Sequence, residues 1–241
     1  MNLPLRLLQV TQFLDYKNIN QKILIDLGCD HGLLSIYLYK YYFFKKIYGL
    51  DQSKTAIANA LKNKKKYLPE LKNDNLHFLV ADGLKWLQNN TNILIDYIIV
   101  AGLGTHFALN LLKLKLDNVK CYVFCLNTDI SKIRSSLKKY HLFLKEEAIV
   151  KIKNHYYFFI KITKAKTNFL MENPYQEFIG SYYLQNFDFI YLNYLQRLEE
   201  KFLKLMYIIP KKSKKYLLIL RKLNFIYKYQ KSIYNKLNLN L

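Results

Sequence analysis

The stretch Ile23-Leu-Ile-Asp-Leu-Gly-Cys-Asp-His-Gly32 decides the fold of this 241-residue chain. It begins as a short apolar run that ends at Gly28. Leucines then recur at helical spacing, at Leu33, Leu34 and Leu38. This change of pattern predicts a buried strand, a tight turn that contains glycine, and a helix.

The same change from strand to helix repeats downstream. Strands are predicted at residues 47–50, 77–80, 95–100 and 119–126, and helices at residues 56–61 and 107–114. Because parallel strands are joined by crossover helices, the pattern predicts an α/β fold, a Rossmann-like parallel sheet with helices on both faces. Strands at residues 142–145, 148–153 and 156–163 are predicted to follow, the last two as a hairpin around Lys153-Asn-His155.

The last part of the chain has a different pattern and predicts a second unit. We place the boundary near residue 165, with one domain at residues 1–165 and a helical coiled-coil domain at residues 166–241. Two apolar seams with alternating spacings of four and three flank a turn at Pro210-Lys-Lys-Ser-Lys-Lys215, which predicts an antiparallel helical hairpin. The seams comprise Tyr191, Leu195, Leu198, Phe202, Leu205 and Ile209, and then Ile219, Leu223, Ile226, Gln230, Ile233 and Leu237.

The charge of the chain predicts a polyanionic partner. Lys and Arg number 38 against 17 Asp and Glu, a formal net charge of +21. Nucleic acid is the leading candidate, although a general preference for lysine in the source organism would raise the charge without a binding role. From residue 211 onward there are nine Lys and Arg and no acid, which favours contact between this arm and RNA phosphates over a merely solvated helix face.

Other classes are disfavoured by the composition. We expect no membrane span, because the longest uncharged stretch, residues 97–112, is too short and contains polar residues. No signal peptide pattern opens the sequence, so we expect a cytoplasmic protein, and we expect a monomer. Cys29, Cys121 and Cys125 show no zinc-ligand spacing, which predicts free thiols and no metal.

Three acids end or follow three successive predicted strands and indicate an adenosine cofactor. Asp26 precedes Gly28 and Gly32, a spacing that lacks the three-glycine turn typical of pyrophosphate binding. An acid in that turn suits the ammonium of S-adenosylmethionine better than NAD. Asp51 is placed to accept ribose hydroxyls, and Asp82 to receive an adenine amino group.

The fourth strand is predicted to end at small residues, which leave room for a flat base. These are Ala101, Gly102 and Gly104. The Asn/Asp-Pro-Pro-Tyr/Phe motif that many amino-methylating enzymes carry at this place is absent. Its absence argues for a nucleophile other than an exocyclic amine.

Together these motifs resemble the bacterial TrmK family of tRNA (adenine(22)-N1)-methyltransferases. The elements that carry the resemblance are Leu5-Arg-Leu-Leu8, Asp26-Leu-Gly-Cys-Asp-His-Gly32, Val100-Ala-Gly-Leu-Gly104, Asn127 with Arg134, and Tyr157. The resemblance implies a class I methyltransferase domain followed by a helical hairpin, with S-adenosylmethionine as the cofactor and tRNA as the partner. Ala101-Gly-Leu-Gly-Thr105 and Cys125-Leu-Asn127 depart from the family's usual residues at those elements.

The residues and the resemblance together give a candidate site, with Asp30 as the catalytic residue. The predicted cofactor residues are Asp26, Gly28, Cys29, His31, Gly32, Asp51, Gln52, Asp82, Gly83, Ala101 and Gly102. The predicted tRNA-binding residues are Arg6, Leu103, Gly104, His106, Asn127, Arg134, Tyr157, Lys211, Lys212, Lys214 and Lys215. Two other functions stay open on the sequence: an inactive RNA-binding protein with a methyltransferase fold, and a nicotinamide oxidoreductase.

Overall fold

The computed structural model describes residues 1–70, 75–128 and 130–238, with side chains through residue 236. The strands are β1 Ile23–Leu27, β2 Lys46–Asp51, β3 Leu76–Val80, β4 Ile95–Ala101, β5 Val119–Leu126, β6 Phe143–Ile152 and β7 His155–Thr163. The helices are α1 Leu5–Thr11, α2 Leu33–Tyr42, α3 Lys54–Tyr67, α4 Gly83–Asn89, α5 Thr105–Lys113, α6 Ser131–Leu137, α7 Pro174–Ile179, α8 Ser181–Gln185, α9 Phe189–Ile208 and α10 Lys214–Asn238.

The strands form one seven-stranded sheet in the order β3-β2-β1-β4-β5-β7-β6. Strands β1 to β5 are parallel, and β7 is antiparallel to both β5 and β6. The chain moves outward from β1 through β2 to β3 and then crosses back to β4 on the other side. In an open α/β sheet this reversal leaves a crevice at the carboxyl ends of the two central strands. The predicted α/β sheet is therefore confirmed.

Three details differ from the sequence prediction. The strands predicted at residues 142–145 and 148–153 are one strand, β6, which carries an irregularity in register between Leu144 and Glu146. Helices α4, α6, α7 and α8 are absent from the prediction, because five to seven residues give little periodicity to detect. The sequence also predicts an amphipathic opening helix with Leu5, Leu8 and Phe13 on its apolar face; in α1, Leu5 and Leu8 are exposed, whereas Val10 is buried.

The predicted C-terminal hairpin is formed by α9 and α10. Phe202 on α9 and Ile219, Leu223 and Ile226 on α10 are buried. Gln230, the polar member of the second seam, donates a hydrogen bond from Nε2 to Glu199 Oε2 at 2.9 Å. The side chain of Leu237 lies outside the described residues.

The C-terminal segment shares a hydrophobic core with the sheet. Phe178, Tyr183 and Tyr191 belong to the same buried cluster as Phe124 and Ile160 of the central strands. A division of the chain near residue 165 stays a prediction, and the common core implies that the two parts stabilise each other.

A buried ion pair holds α7 against α6 and β6. Arg134, which is 1% exposed, donates from Nε to Glu147 Oε1 at 2.7 Å and from Nη2 to Oε2 at 3.0 Å. Its Nη1 donates to the carbonyl oxygen of Phe178 at 2.7 Å. The predicted role of Arg134 in tRNA binding is wrong, because the guanidinium is enclosed by protein and the charge cannot reach a phosphate.

Removing the negative member of this pair is expected to destabilise the fold strongly. Glu147→Gln leaves the Arg134 guanidinium buried beside a neutral group, at an expected cost of about 3–5 kcal/mol in the free energy of unfolding. Urea unfolding followed by circular dichroism measures this. The control is Asp117→Asn, which removes the exposed pair with Lys164 and is expected to leave stability nearly unchanged. Equal decreases in the two variants would contradict a structural role for the buried pair.

Candidate active site

A cleft of about 490 Å³ opens at the carboxyl ends of β1, β2 and β4. Asp26 and Gly28 from the end of β1, Asp51 from β2, and Ala101 and Gly102 from the end of β4 line it. The sequence places these residues far apart. Parallel pairing of β1 with β2 and with β4 brings them to one edge of the sheet.

Asp26 is a buried carboxylate at the base of this cleft. It is 3% exposed, and Ser35 of α2 donates its hydroxyl to Oδ2 at 2.7 Å. Burial raises the pKa of Asp26 to about 6, and the negative charge of Asp51 adds to the effect while the Ser35 hydrogen bond opposes it. A cationic group bound in the cleft would offset the cost of ionising Asp26.

The turn after β1 contains residues with left-handed backbone and is hydrogen-bonded to Asp51. Gly28, Asp30 and Gly32 have φ values of +70°, +49° and +69°. The backbone N–H of Asp30 donates to Asp51 Oδ2 at 3.1 Å, which ties the turn to the end of β2. The Asp30 side chain is 69% exposed, and its Oδ1 lies 3.6 Å from Nε2 of His31. Asp30 is therefore presented at the mouth of the cleft.

Two of the predicted cofactor residues contribute through packing. A Cβ atom on Gly32 would lie 2.6 Å from the ring of Phe78, so this glycine allows α2 to approach the sheet. Cys29 is buried in the core beneath the turn, and burial raises the pKa of its thiol. Cys29 is nevertheless among the residues that line the cleft.

A smaller apolar slot of about 200 Å³ adjoins the cleft and shares Gly28, Asp51 and Leu103 with it. Its other lining residues include Leu27, Leu50, Gln52, Ala81, Gly83 and Phe107. A flat apolar group such as a purine fits such a lining. Asp82 itself caps α4, since its Oδ1 accepts the N–H groups of Leu84 and Lys85 at 3.0 and 3.3 Å.

Helix α1 brings a cation to the rim of the cleft. Arg6 donates from Nη1 to the carbonyl oxygen of Ala101 at 3.2 Å, and its guanidinium lies 5.9 Å from the ring centre of Tyr157. This contact joins the amino terminus, the end of β4 and the start of β7. The predicted tRNA residues Arg6, Leu103 and Tyr157 are thus brought together beside the cofactor cleft.

The other predicted tRNA residues lie farther from the cleft or at its rim. Gly104 is the N-cap of α5, with open space where a Cβ would be. His106 is exposed on α5 and its Nε2 lies 3.1 Å from Asn110 Nδ2, within hydrogen-bond distance. Asn127 is exposed just after β5. Four exposed lysines, Lys211, Lys212, Lys214 and Lys215, surround the turn between α9 and α10.

Sequence reasoning missed Ser35, Leu7 and Phe107. Ser35 lies nine positions after Asp26 and inside an apolar helix, so only the fold shows that its hydroxyl reaches the carboxylate. Leu7 and Phe107 line the cleft and the slot but look like ordinary core positions in the sequence.

The described part of the chain contains no cluster of three or more His, Cys, Asp or Glu side chains arranged to hold a metal ion. None of its helices has the length and apolar run that crossing a bilayer requires.

Comparison with known proteins identifies the family of this site. A model described as a methyltransferase domain matches residues 3–160. The structure of M. capricolum TrmK in complex with S-adenosylhomocysteine is 30% identical and has a TM-score of 0.80, with 94% of this chain and 97% of that chain covered. The chain belongs to the TrmK family. The family resemblance predicted from the motifs is confirmed.

Two further proteins are similar to this chain. A Mycoplasma genitalium protein named "Putative tRNA methyltransferase MG248" is 30% identical over 153 residues, which are 64% of this chain and 67% of that protein. The B. subtilis m1A22 tRNA methyltransferase TrmK has a TM-score of 0.78 at 16% identity, covering 95% of this chain and 98% of that one, and so shares the fold.

Binding of S-adenosylhomocysteine, the molecule held by the M. capricolum TrmK, is expected to depend on the ionisation of Asp26. Because the pKa of Asp26 is raised to about 6, the carboxylate is lost as the pH falls through that value and can no longer attract an ammonium group. We expect the dissociation constant to rise by up to roughly tenfold per pH unit below 6. Isothermal titration between pH 5 and 8 measures it.

The matched variants are Asp26→Asn and Asp51→Asn. Asp26→Asn is expected to weaken binding at neutral pH and to flatten the pH profile. Asp51→Asn is expected to weaken binding and to keep a pH dependence, displaced to lower pH because the Asp51 charge no longer raises the pKa of Asp26. A profile that is unchanged in Asp26→Asn would assign the dependence to another group.

Proposed function

We propose that this TrmK family member transfers a methyl group from S-adenosylmethionine to N1 of adenine 22 in tRNA. The observation that carries the proposal is the convergence of Asp26, Asp51 and the apolar slot at the carboxyl edge of the sheet, with Asp30 at the cleft mouth. Family membership and the excess of basic residues support tRNA as the substrate.

The residues present fit the proposed cofactor. Asp26 offers a buried carboxylate for its ammonium, and Gly28 and Gly102 leave the backbone accessible beside it. Asp51 already accepts N–H groups from Asp30 and Ser53, and each oxygen retains a lone pair for a ribose hydroxyl. The slot between Leu50 and Phe107 suits adenine. When bound, the cofactor supplies an electrophilic methyl group on a sulfonium.

Methyl transfer to adenine N1 depends on alignment of the reacting atoms more than on a strong general base. Adenine N1 has an in-plane lone pair, so it can attack the methyl carbon directly once the base has left its stack. The N1–C bond forms as the S–C bond breaks, and the adenine gains a positive charge. The exposed carboxylate of Asp30 can stabilise that charge or accept a proton from N6.

Nucleoside mass spectrometry of unmodified tRNA after incubation with the enzyme and S-adenosylmethionine tests the proposal. We expect N1-methyladenosine, and arrest of reverse transcription at position 22. Tight tRNA binding without methyl transfer would favour the inactive RNA-binding alternative. Binding of NAD(H) without binding of S-adenosylhomocysteine would favour the oxidoreductase alternative.

Substitution of Asp30 is expected to separate chemistry from binding. Asp30→Ala should lower kcat about 100-fold or more, since the carboxylate acts on charge that develops during transfer. Asp30→Asn should lower it similarly while keeping side-chain size. Affinity for S-adenosylhomocysteine should change little in both variants, because the backbone N–H of Asp30 makes the bond to Asp51. A kcat near wild type in both would exclude Asp30 from the chemistry.

Substitution of the lysines at the hairpin turn tests their part in tRNA binding. Replacement of Lys211, Lys212, Lys214 and Lys215 by Gln should weaken tRNA binding. The slope of log affinity against log salt should fall by about 0.7–0.9 for each phosphate that is no longer neutralised. The charge-matched control replaces the exposed Lys65, Lys66, Lys138 and Lys139 by Gln. Equal effects of the two sets would mean that only net charge matters.

We also propose that the protein acts in the cytoplasm as a monomer. Light scattering of the pure protein, alone and with tRNA, measures the oligomeric state.

A further inference from the structure

The helical hairpin begins at the same end of the sheet as the cleft. Phe158 pairs with Leu126, the last residue of β5, so the start of β7 lies at the carboxyl edge of the parallel strands. Tyr194 of α9 packs against this start, with its ring centre 5.4 Å from that of Tyr156 and 4.9 Å from that of Phe158. Tyr157, the residue between them in β7, points to the opposite face of the sheet, where its ring contacts the Arg6 guanidinium at the rim of the cleft.

A row of cations runs along α9 away from this point. Arg197 lies 5.5 Å from the ring centre of Tyr156, which fixes the face of the helix that it occupies. Lys201 and Lys204 follow at helical spacing on that face and are exposed, with Glu200 at the border of the row. The next position on the same face is Ile208. At 1.5 Å per residue, the helix carries Ile208 about 16 Å beyond Arg197.

The row ends at exposed apolar side chains that the hairpin seam does not use. Tyr207 is 92% exposed and Ile208 is 79% exposed. Leu203, Leu217 and Leu218 are also exposed near the turn. We call these five residues the hairpin tip. Between residues 201 and 218 the sequence holds six lysines and no acid.

We propose that the hairpin tip binds the exposed faces of nucleobases in the same RNA whose target base occupies the cleft. This inference rests on the proposed function and names a recognition element for its substrate. Lysines neutralise phosphates, whereas an aromatic and aliphatic surface among them is suited to the flat faces of unpaired or end-stacked bases. The cation row on α9 runs from the tip to the start of β7, at the carboxyl edge of the sheet where the cleft opens, so one folded RNA can contact both. Because Ile208 lies about 16 Å along α9 from Arg197, the contacted bases are distinct from the methylated adenine.

The test compares variants of the full chain for binding to an unmodified tRNA transcript. Tyr207→Ala with Ile208→Ser should raise the dissociation constant at least about fivefold, because base stacking is removed while charge is kept. Tyr207→Phe should retain most of the affinity. The control is Leu94→Ser, which removes a similarly exposed leucine at the opposite edge of the sheet and should change nothing. Circular dichroism checks that each variant is folded.

Chemical probing of the tRNA bases then identifies the contact. Bases protected by the wild-type protein and not by the Tyr207→Ala/Ile208→Ser variant should lie away from the methylated adenine. In steady-state assays the KM for tRNA should rise more than kcat falls, and affinity for S-adenosylhomocysteine should be unchanged.

Several outcomes would overturn the inference. Unchanged tRNA affinity of the Tyr207→Ala/Ile208→Ser variant would do so. The conclusion is the same if that variant, with its tRNA affinity unchanged, loses binding to phosphatidylglycerol vesicles or changes its oligomeric state. Its failure is distinguishable from failure of the proposed function: tip-dependent tRNA binding without N1-methyladenosine refutes only the function, and methylation that is insensitive to the tip refutes only the inference.

Discussion

The carboxylate of Asp26 is buried at the end of the central strand, and the surrounding site is arranged around that burial. Ser35 supplies one hydrogen bond from α2, while the nearby Asp51 raises the cost of a second negative charge. A bound cation relieves both effects. Burial makes the ionised Asp26 carboxylate unfavourable on its own, and for the same reason it suits a positively charged ligand end.

The turn between β1 and α2 serves both packing and ligand access. A Cβ on Gly28 would lie 3.0 Å from the Leu103 side chain beside the cleft, whereas one on Gly32 would lie 2.6 Å from Phe78, where α2 meets the sheet. Asp51 fixes the turn through the backbone of Asp30, which leaves the Asp30 side chain free at the cleft mouth. This division of tasks between backbone and side chain supports our proposal that one short turn binds the cofactor and presents the catalytic carboxylate.

Buried side-chain contacts, in addition to the covalent chain, join the C-terminal segment to the sheet. The Arg134 guanidinium binds Glu147 of β6 and the carbonyl oxygen of Phe178 in α7, and Tyr183 stacks on Tyr191 with ring centres 3.8 Å apart. This packing orients the root of the hairpin beside β7. The position of the hairpin relative to the cleft is thus set by a buried contact.

The sequence by itself determined the order of the main strands and helices, the acids at the strand ends and the two hairpin seams, because apolar periods are written in consecutive positions. Parallel strands end at one edge of a sheet, so Asp26 and Asp51 could be assigned to one cleft without coordinates. Only the tertiary structure decided which side chains are available to a ligand. Arg134 carries a charge suited to binding a phosphate, but its guanidinium is buried and paired with Glu147. The Oδ1 of Asp82 caps α4. Burial and hydrogen-bond geometry of this kind depend on how the folded segments pack, and they leave no periodic signal in the sequence.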